Sequence, residues 1–250
     1  MFPQAKRIEL KHPPLDLVVC QVRFPIVLKL KVEQGPVDFQ TKIMSQYPLT
    51  NRKSRTLLET QPQEKRIMAK EESYWTFMDR EERWTIAISD SFFSLETKKY
   101  RNFDEFLEKF THAFDVVQQL YGIPLCSRIG LRYINKISKK TNPKLPENWP
   151  REIRAGLVPF SGIAGPEVPR MAQSENRLKL NDCFLTIRSV LIAKGFPGAE
   201  NHELVLDFDC YSEEKCDFDK QAEILRKFKT TCYNAFRWST KGLFEHYEQV

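Results

Sequence analysis

Glycine is scarce in this chain, 9 residues in 250, and none of the nine is arranged as GxGxxG or GxxxxGK[ST]. A backbone cradle for phosphate needs glycines at such spacings, so the common nucleotide-dependent mechanisms have no footing here. Histidine is scarcer still. His12, His112, His202 and His246 lie far apart, none at helical spacing from another and none beside a cysteine, which argues against a zinc site. The 6 cysteines, Cys20, Cys126, Cys183, Cys210, Cys216 and Cys232, include no CxxC pair. Four of them sit in apolar patterns, where a thiol behaves as a small hydrophobe, and the expectation is a reducing compartment. Cys210 and Cys216 flank a short polar turn and form a redox pair in principle; two unrelated thiols is the plainer reading. There is no G-x-S-x-G elbow and no local cysteine-nucleophile signature, so a hydrolase triad has no support. No run approaches the roughly 18 apolar residues of a membrane span, and Met1 to Pro14 has no apolar core of signal-peptide length. These absences set the expectation of a cytoplasmic protein with no membrane association, no metal and no cofactor.

What is present is ample core. Hydrophobic residues make up 41% of the chain, and a formal charge of +6 is spread among interleaved acids and bases, which permits a nucleic-acid surface without demanding one. The organising stretch is Asn102 to Ile137. Phe103, Phe106, Leu107, Phe110, Ala113, Phe114, Val117, Leu120 and Tyr121 recur on one face of a 3.6-residue turn, Asn102 can cap the first turn, and Gly122 with Pro124 can end the last. The strand that follows alternates: Ile129, Leu131, Tyr133, Asn135 and Ile137 share one side, and Arg128, Gly130, Arg132, Ile134 and Lys136 the other.

Earlier in the chain, Leu15 to Phe24 reads as a strand after an exposed arm closed by Pro13 and Pro14, and Pro36 can open a short helix carrying Phe39 and Ile43. Residues 55–97 read as an antiparallel meander of five short runs, with the charged loop Asp79 to Arg83 between two of them. Residues 138–174, rich in proline and glycine, read as a connector or lid. Cys183 to Ala193 and Glu203 to Tyr211 read as two further strands, followed by a second amphipathic helix from Asp219. The expected fold is α+β: antiparallel sheets, each covered by a long helix, with a β-meander-plus-helix unit that recurs. The divisions are 1–137, the connector 138–174, and 175–250, packed as one globular unit.

Two constellations carry the chemistry. Asp207 and Asp209 stand two apart on a strand, so both face one side, where they can bind a divalent ion, do acid/base work, or pair with Arg128 and Arg132 on a neighbouring strand. Arg128, Arg132 and Lys136 line one strand face, with Tyr133 or Trp149 near enough to stack. That face is either a cationic stripe for phosphate or an acidic protein, or an outer face balanced by carboxylates.

Pro13-Pro14-Leu15, Val22-Arg23-Phe24, the segment Arg128 to Asn135 (RIGLRYIN) and Leu206 to Asp209 together resemble a sporadically distributed family of uncharacterised bacterial and archaeal proteins of about this length. The resemblance implies motif positions at Arg128, Gly130, Arg132, Tyr133, Asn135, Asp207 and Asp209, and its patchy distribution suggests a mobile defence or toxin-antitoxin-like setting. The expectation is therefore a non-catalytic binding protein, the neutralising or scaffolding member of such a module. Its candidate binding residues are Arg128, Arg132, Tyr133, Asn135, Lys136, Asp207 and Asp209. Another protein is the expected partner, with nucleic acid and self-association left open. Alternatives are a nucleic-acid binder using the basic strand face, and a metal-dependent nuclease or phosphoesterase built on Asp207 and Asp209.

Overall fold

A computed structural model describes residues 2–31, 34–61, 66–158, 170–195, 201–215, 217–240 and 242–249, with the side chains of 57–61 and 66–70 set aside. The expectations for Cys216 and for the prolines and glycines of 159–169 lie outside the described residues. The elements are strands β1 (Leu15–Arg23), β2 (Leu49–Gln61), β3 (Arg66–Met78), β4 (Trp84–Ile88), β5 (Phe92–Thr97), β6 (Arg128–Ser138), β7 (Met171–Lys179), β8 (Phe184–Lys194) and β9 (Asn201–Ser212). The helices are α1 (Val37–Ile43), α2 (Phe103–Tyr121) and α3 (Gln221–Ser239).

These strands do not make separate sheets, each covered by its own long helix. They form one nine-stranded sheet in the order β2-β3-β4-β5-β1-β6-β9-β8-β7, and the regular structure is mostly sheet. The physical reason is β1. The first strand of the chain lies between β5 and β6: the Phe24 N–H donates to Ser91 O at 3.1 Å on one side, and Arg23 O accepts from Ser127 N–H at 2.8 Å on the other. Backbone groups that would otherwise end at two free edges are thereby paired.

The chain also divides into two compact units. One comprises Cys20–Ile129 with Glu214–Phe218; the other comprises Met1–Val19, Gly130–Glu213 and Asp219–Val250. They are called the aromatic unit and the charged unit below.

In the aromatic unit, β2 to β5 form an antiparallel meander. Two runs expected as separate strands, 66–70 and 74–78, are one 13-residue strand, β3, carried through its polar middle by the cross-strand pair Arg55 and Glu72. The Asp79 to Arg83 loop is tied by Asp79 Oδ1, which accepts from the N–H groups of Arg83 at 2.6 Å and Trp84 at 2.9 Å. Helix α2 begins where Asn102 Oδ1 accepts from the Glu105 N–H at 2.9 Å and ends at Gly122, whose φ of 59° is the left-handed conformation that glycine adopts without strain. Its inner face sets Phe110 edge-on and Phe114 tilted against Phe93 of β5 at 5.7 and 5.4 Å, while Phe39 of α1 meets Phe93 at 6.4 Å and Phe77 at 5.5 Å.

In the charged unit, β7, β8 and β9 pair antiparallel, and α3 lies on β9, with Phe236 edge-on to Phe208 at 6.0 Å. Strand β7 was not expected: it begins in the last residues of the connector and runs on past it, and MAQSENRLK has no apolar alternation. It is an edge strand, exposed along most of its length. Residues 138–158 of the connector are packed rather than open: Leu145, Trp149, Ile153, Leu157 and Val158 are buried, and Leu157 O accepts from the hydroxyls of Ser174 and Ser189. The N-terminal arm, largely exposed as expected, is tied to α3 by the Ala5 N–H on Asn234 Oδ1 at 3.1 Å and the Ile8 N–H on the Tyr233 hydroxyl at 2.9 Å. Among the described residues no helix is long and apolar enough to cross a membrane.

Candidate functional site

Side chains alternate across a sheet, so the strands of the charged unit have two distinct faces. On one, Leu131 of β6 and Leu204, Leu206 and Phe208 of β9 are buried, and the thiol of Cys232 on α3 reaches Leu131 O and Phe208 O. On the other stand Arg132 and Lys136 of β6, Glu203, Asp207 and Asp209 of β9, Arg188 of β8, and Glu175 and Arg177 of β7. This second face is the candidate site.

Its centre is a row across four strands. The register sets Asp207 opposite Arg188 and Arg188 opposite Glu175. Arg132 grips Asp207 with two parallel hydrogen bonds, Nε to Oδ1 at 2.8 Å and Nη2 to Oδ2 at 2.7 Å. Arg188 donates from Nη1 to Asp207 Oδ2 at 3.4 Å and from Nε to Glu175 Oε2 at 2.9 Å. Charge therefore alternates, plus, minus, plus, minus, from β6 to β7. The Asp207 side chain is 7% exposed, whereas Arg132, Arg188 and Glu175 are 42%, 36% and 59% exposed. The hydrogen bonds it donates to Asp207 raise Arg132 above the usual guanidinium value despite its partial burial, and Asp209 adds to the effect.

On one flank, Glu203 lies 3.0 Å from Lys194 and 3.9 Å from Lys136. On the other, the rings of Phe184 and Tyr211 stack at 5.6 Å, with the Arg177 guanidinium 4.6 and 5.4 Å from their centres and 3.4 Å from Glu213.

The structure thus brings together Arg132, Lys136, Asp207 and Asp209 of the residues singled out from sequence. Asn135 is buried on the opposite face and donates to Leu206 O at 3.4 Å. Tyr133 shares that face by alternation and does not stack on the Arg132 side. Arg128 belongs to the aromatic unit, where its charge acts on the Cys20 thiol. Trp149 is buried in the connector.

Sequence reasoning missed Arg188, Glu175 and Arg177. Arg188 left a trace, a lone arginine inside the apolar run CFLTIRSVLIA opposite a pair of aspartates; Glu175 and Arg177 left none, because their strand has no pattern.

Chemically, Asp207 has both oxygens engaged by guanidinium N–H groups, so taking it as a cation ligand would leave two arginines facing each other. Among the described residues no group of three or more His, Cys, Asp or Glu side chains is placed to hold a metal ion. Comparison of the chain with protein-family models finds no match, and comparison with curated proteins finds none either.

Proposed function

We propose that this chain is a non-catalytic, cytoplasmic binding protein that engages another protein through the charged face of β6, β9, β8 and β7. The observation that carries the reading is the alternating row Arg132, Asp207, Arg188, Glu175, three of whose four side chains stay half-exposed. Half-exposed ion pairs contribute little to stability, on the order of 0–1 kcal/mol each. What such a row provides is a fixed pattern of signs, which a complementary protein surface reads and a mismatched one pays for in like-charge contacts. A polyanion asks for something different, an unbalanced run of cations, and here each cation of the row already has a lateral carboxylate.

The family resemblance through RIGLRYIN and Leu206 to Asp209 supports the finer reading: the neutralising or scaffolding partner in a mobile defence or toxin-antitoxin-like module. Gentle purification of the tagged chain from its own host tests this, run beside Glu175→Lys, which reverses one end of the row at an exposed edge. The expected result is a stoichiometric protein partner whose affinity falls about tenfold or more in the variant. Co-purifying nucleic acid that leaves steeply with added salt would overturn the reading in favour of a nucleic-acid binder.

A further inference from the structure

Three cysteines meet in the charged unit. Cys210 is on β9, buried; Cys232 is on α3, buried; Cys183 is half-buried in the turn that leads from β7 into β8. The Cys183 Sγ lies 3.6 Å from the Cys210 Sγ, and Cys232 is a hydrogen-bond neighbour of Cys210 on its other side. The pair is non-local, since 27 residues separate its members in sequence.

Two sulfurs at this separation are in van der Waals contact, and a disulfide at about 2.05 Å requires them to close by roughly 1.5 Å. Cys183 stands just outside the β8 ladder, in a turn closed by the Leu180 N–H on Cys183 O at 2.8 Å, so a side-chain rotation with a small backbone adjustment can close that gap. Its partial exposure gives a small oxidant a way in, and the sulfur beside it is placed to resolve the product.

We propose that Cys183 and Cys210 are a peroxide-responsive pair that forms a reversible disulfide. The inference does not rest on the binding reading above. Cys183, as thiolate, attacks one oxygen of hydrogen peroxide; the O–O bond breaks, Cys183 becomes a sulfenic acid, and one water forms. Cys210 then attacks the sulfenic sulfur, the S–O bond breaks, the leaving hydroxide takes the Cys210 proton as a second water, and the S–S bond closes. Two thiols lose two hydrogens and one peroxide becomes two waters. The hydrogen bond with Cys210 and then burial raise Cys183 above the ordinary thiol range, so the first step is slow at neutral pH and quickens as pH rises. The new bond ties the β7 to β8 turn to β9, next to Tyr211 and Asp209.

The aromatic unit holds an internal control. Burial and then Cys126 raise the Cys20 thiol, and both cysteines are 0% exposed, so peroxide has no route to either.

The test is to treat the reduced, folded, full chain with hydrogen peroxide, block remaining thiols by alkylation, and read the intact mass and the peptide map. The expected result is a loss of about two mass units and of two alkylation sites, a linked peptide carrying Cys183 and Cys210, and reversal by dithiothreitol. In Cys183→Ser the link is absent, and in urea-denatured wild type the cross-links scatter among all the thiols. A folded wild-type chain that leaves Cys183 alkylated, drives it to sulfinic acid, or joins it to Cys216, Cys232 or a second copy overturns the proposal.

Discussion

Both units place an arginine against a carboxylate on adjacent strands, and they use the pair in opposite ways. In the aromatic unit Arg55 pairs with Glu72, Nε to Oε2 at 2.7 Å, while its guanidinium lies over Phe92 at 4.6 Å and near Tyr74 at 5.5 Å; Ser91 adds a hydroxyl to Glu72 at 3.3 Å. The cation is a lid on an aromatic patch, and the pair closes a piece of core. In the charged unit Arg132 and Arg188 flank Asp207 with no ring beneath them among the described residues, and the row runs on to Glu175 at the sheet edge. The same ion pair is packing in one place and pattern in the other. What differs is what lies under the guanidinium, so the pair's charge alone says nothing of its purpose.

Five substitutions at four positions test this contrast, each read by urea denaturation of the folded chain. The largest effect is expected from Phe93→Ala in the aromatic unit, which removes the ring that Phe39, Phe110 and Phe114 all meet and should cost about 3–5 kcal/mol. A cost below about 1 kcal/mol would mean that the aromatic cluster is not what holds that unit together. Asp207→Asn comes next: two guanidiniums lose the buried carboxylate between them, and a loss of about 1–3 kcal/mol is expected, with Arg132 and Arg188 left in like-charge contact. Arg55→Ala should cost about 1–2 kcal/mol through lost ring coverage, and Arg55→Met should recover part of it, because the stem and not the charge does most of the covering. Full loss in Arg55→Met as well would make that pair electrostatic and collapse the contrast. Smallest is Glu175→Gln, within about 0.5 kcal/mol of wild type, as an exposed ion pair should be. If it matched Asp207→Asn, the row would be a stability device rather than a presented surface.

How much of this was legible beforehand follows the range of the forces involved. Helix α2 could be read with its caps, since Asn102, Glu105 and Gly122 act within a turn or two of one another. The alternation of β6 could be read too, and it correctly separated Arg132 and Lys136 from Leu131 and Asn135. The pairing of Asp207 with an arginine was one of the readings open for it; the second arginine, from β8, was not foreseen. Strand β7 was invisible because an exposed edge strand needs no apolar face.

By itself, then, the sequence determined which segments with an apolar face become helix or strand, as with α2 and β6, and which side of each seeks the core, because burial and capping act on neighbours a few residues apart. Only the tertiary structure decided that β1 lies between β5 and β6, that Arg188 and Glu175 extend the Arg132 to Asp207 pair into a row, and that Cys183 stands beside Cys210. Those choices rest on hydrogen bonds and contacts between residues tens of positions apart, whose closure no local pattern encodes.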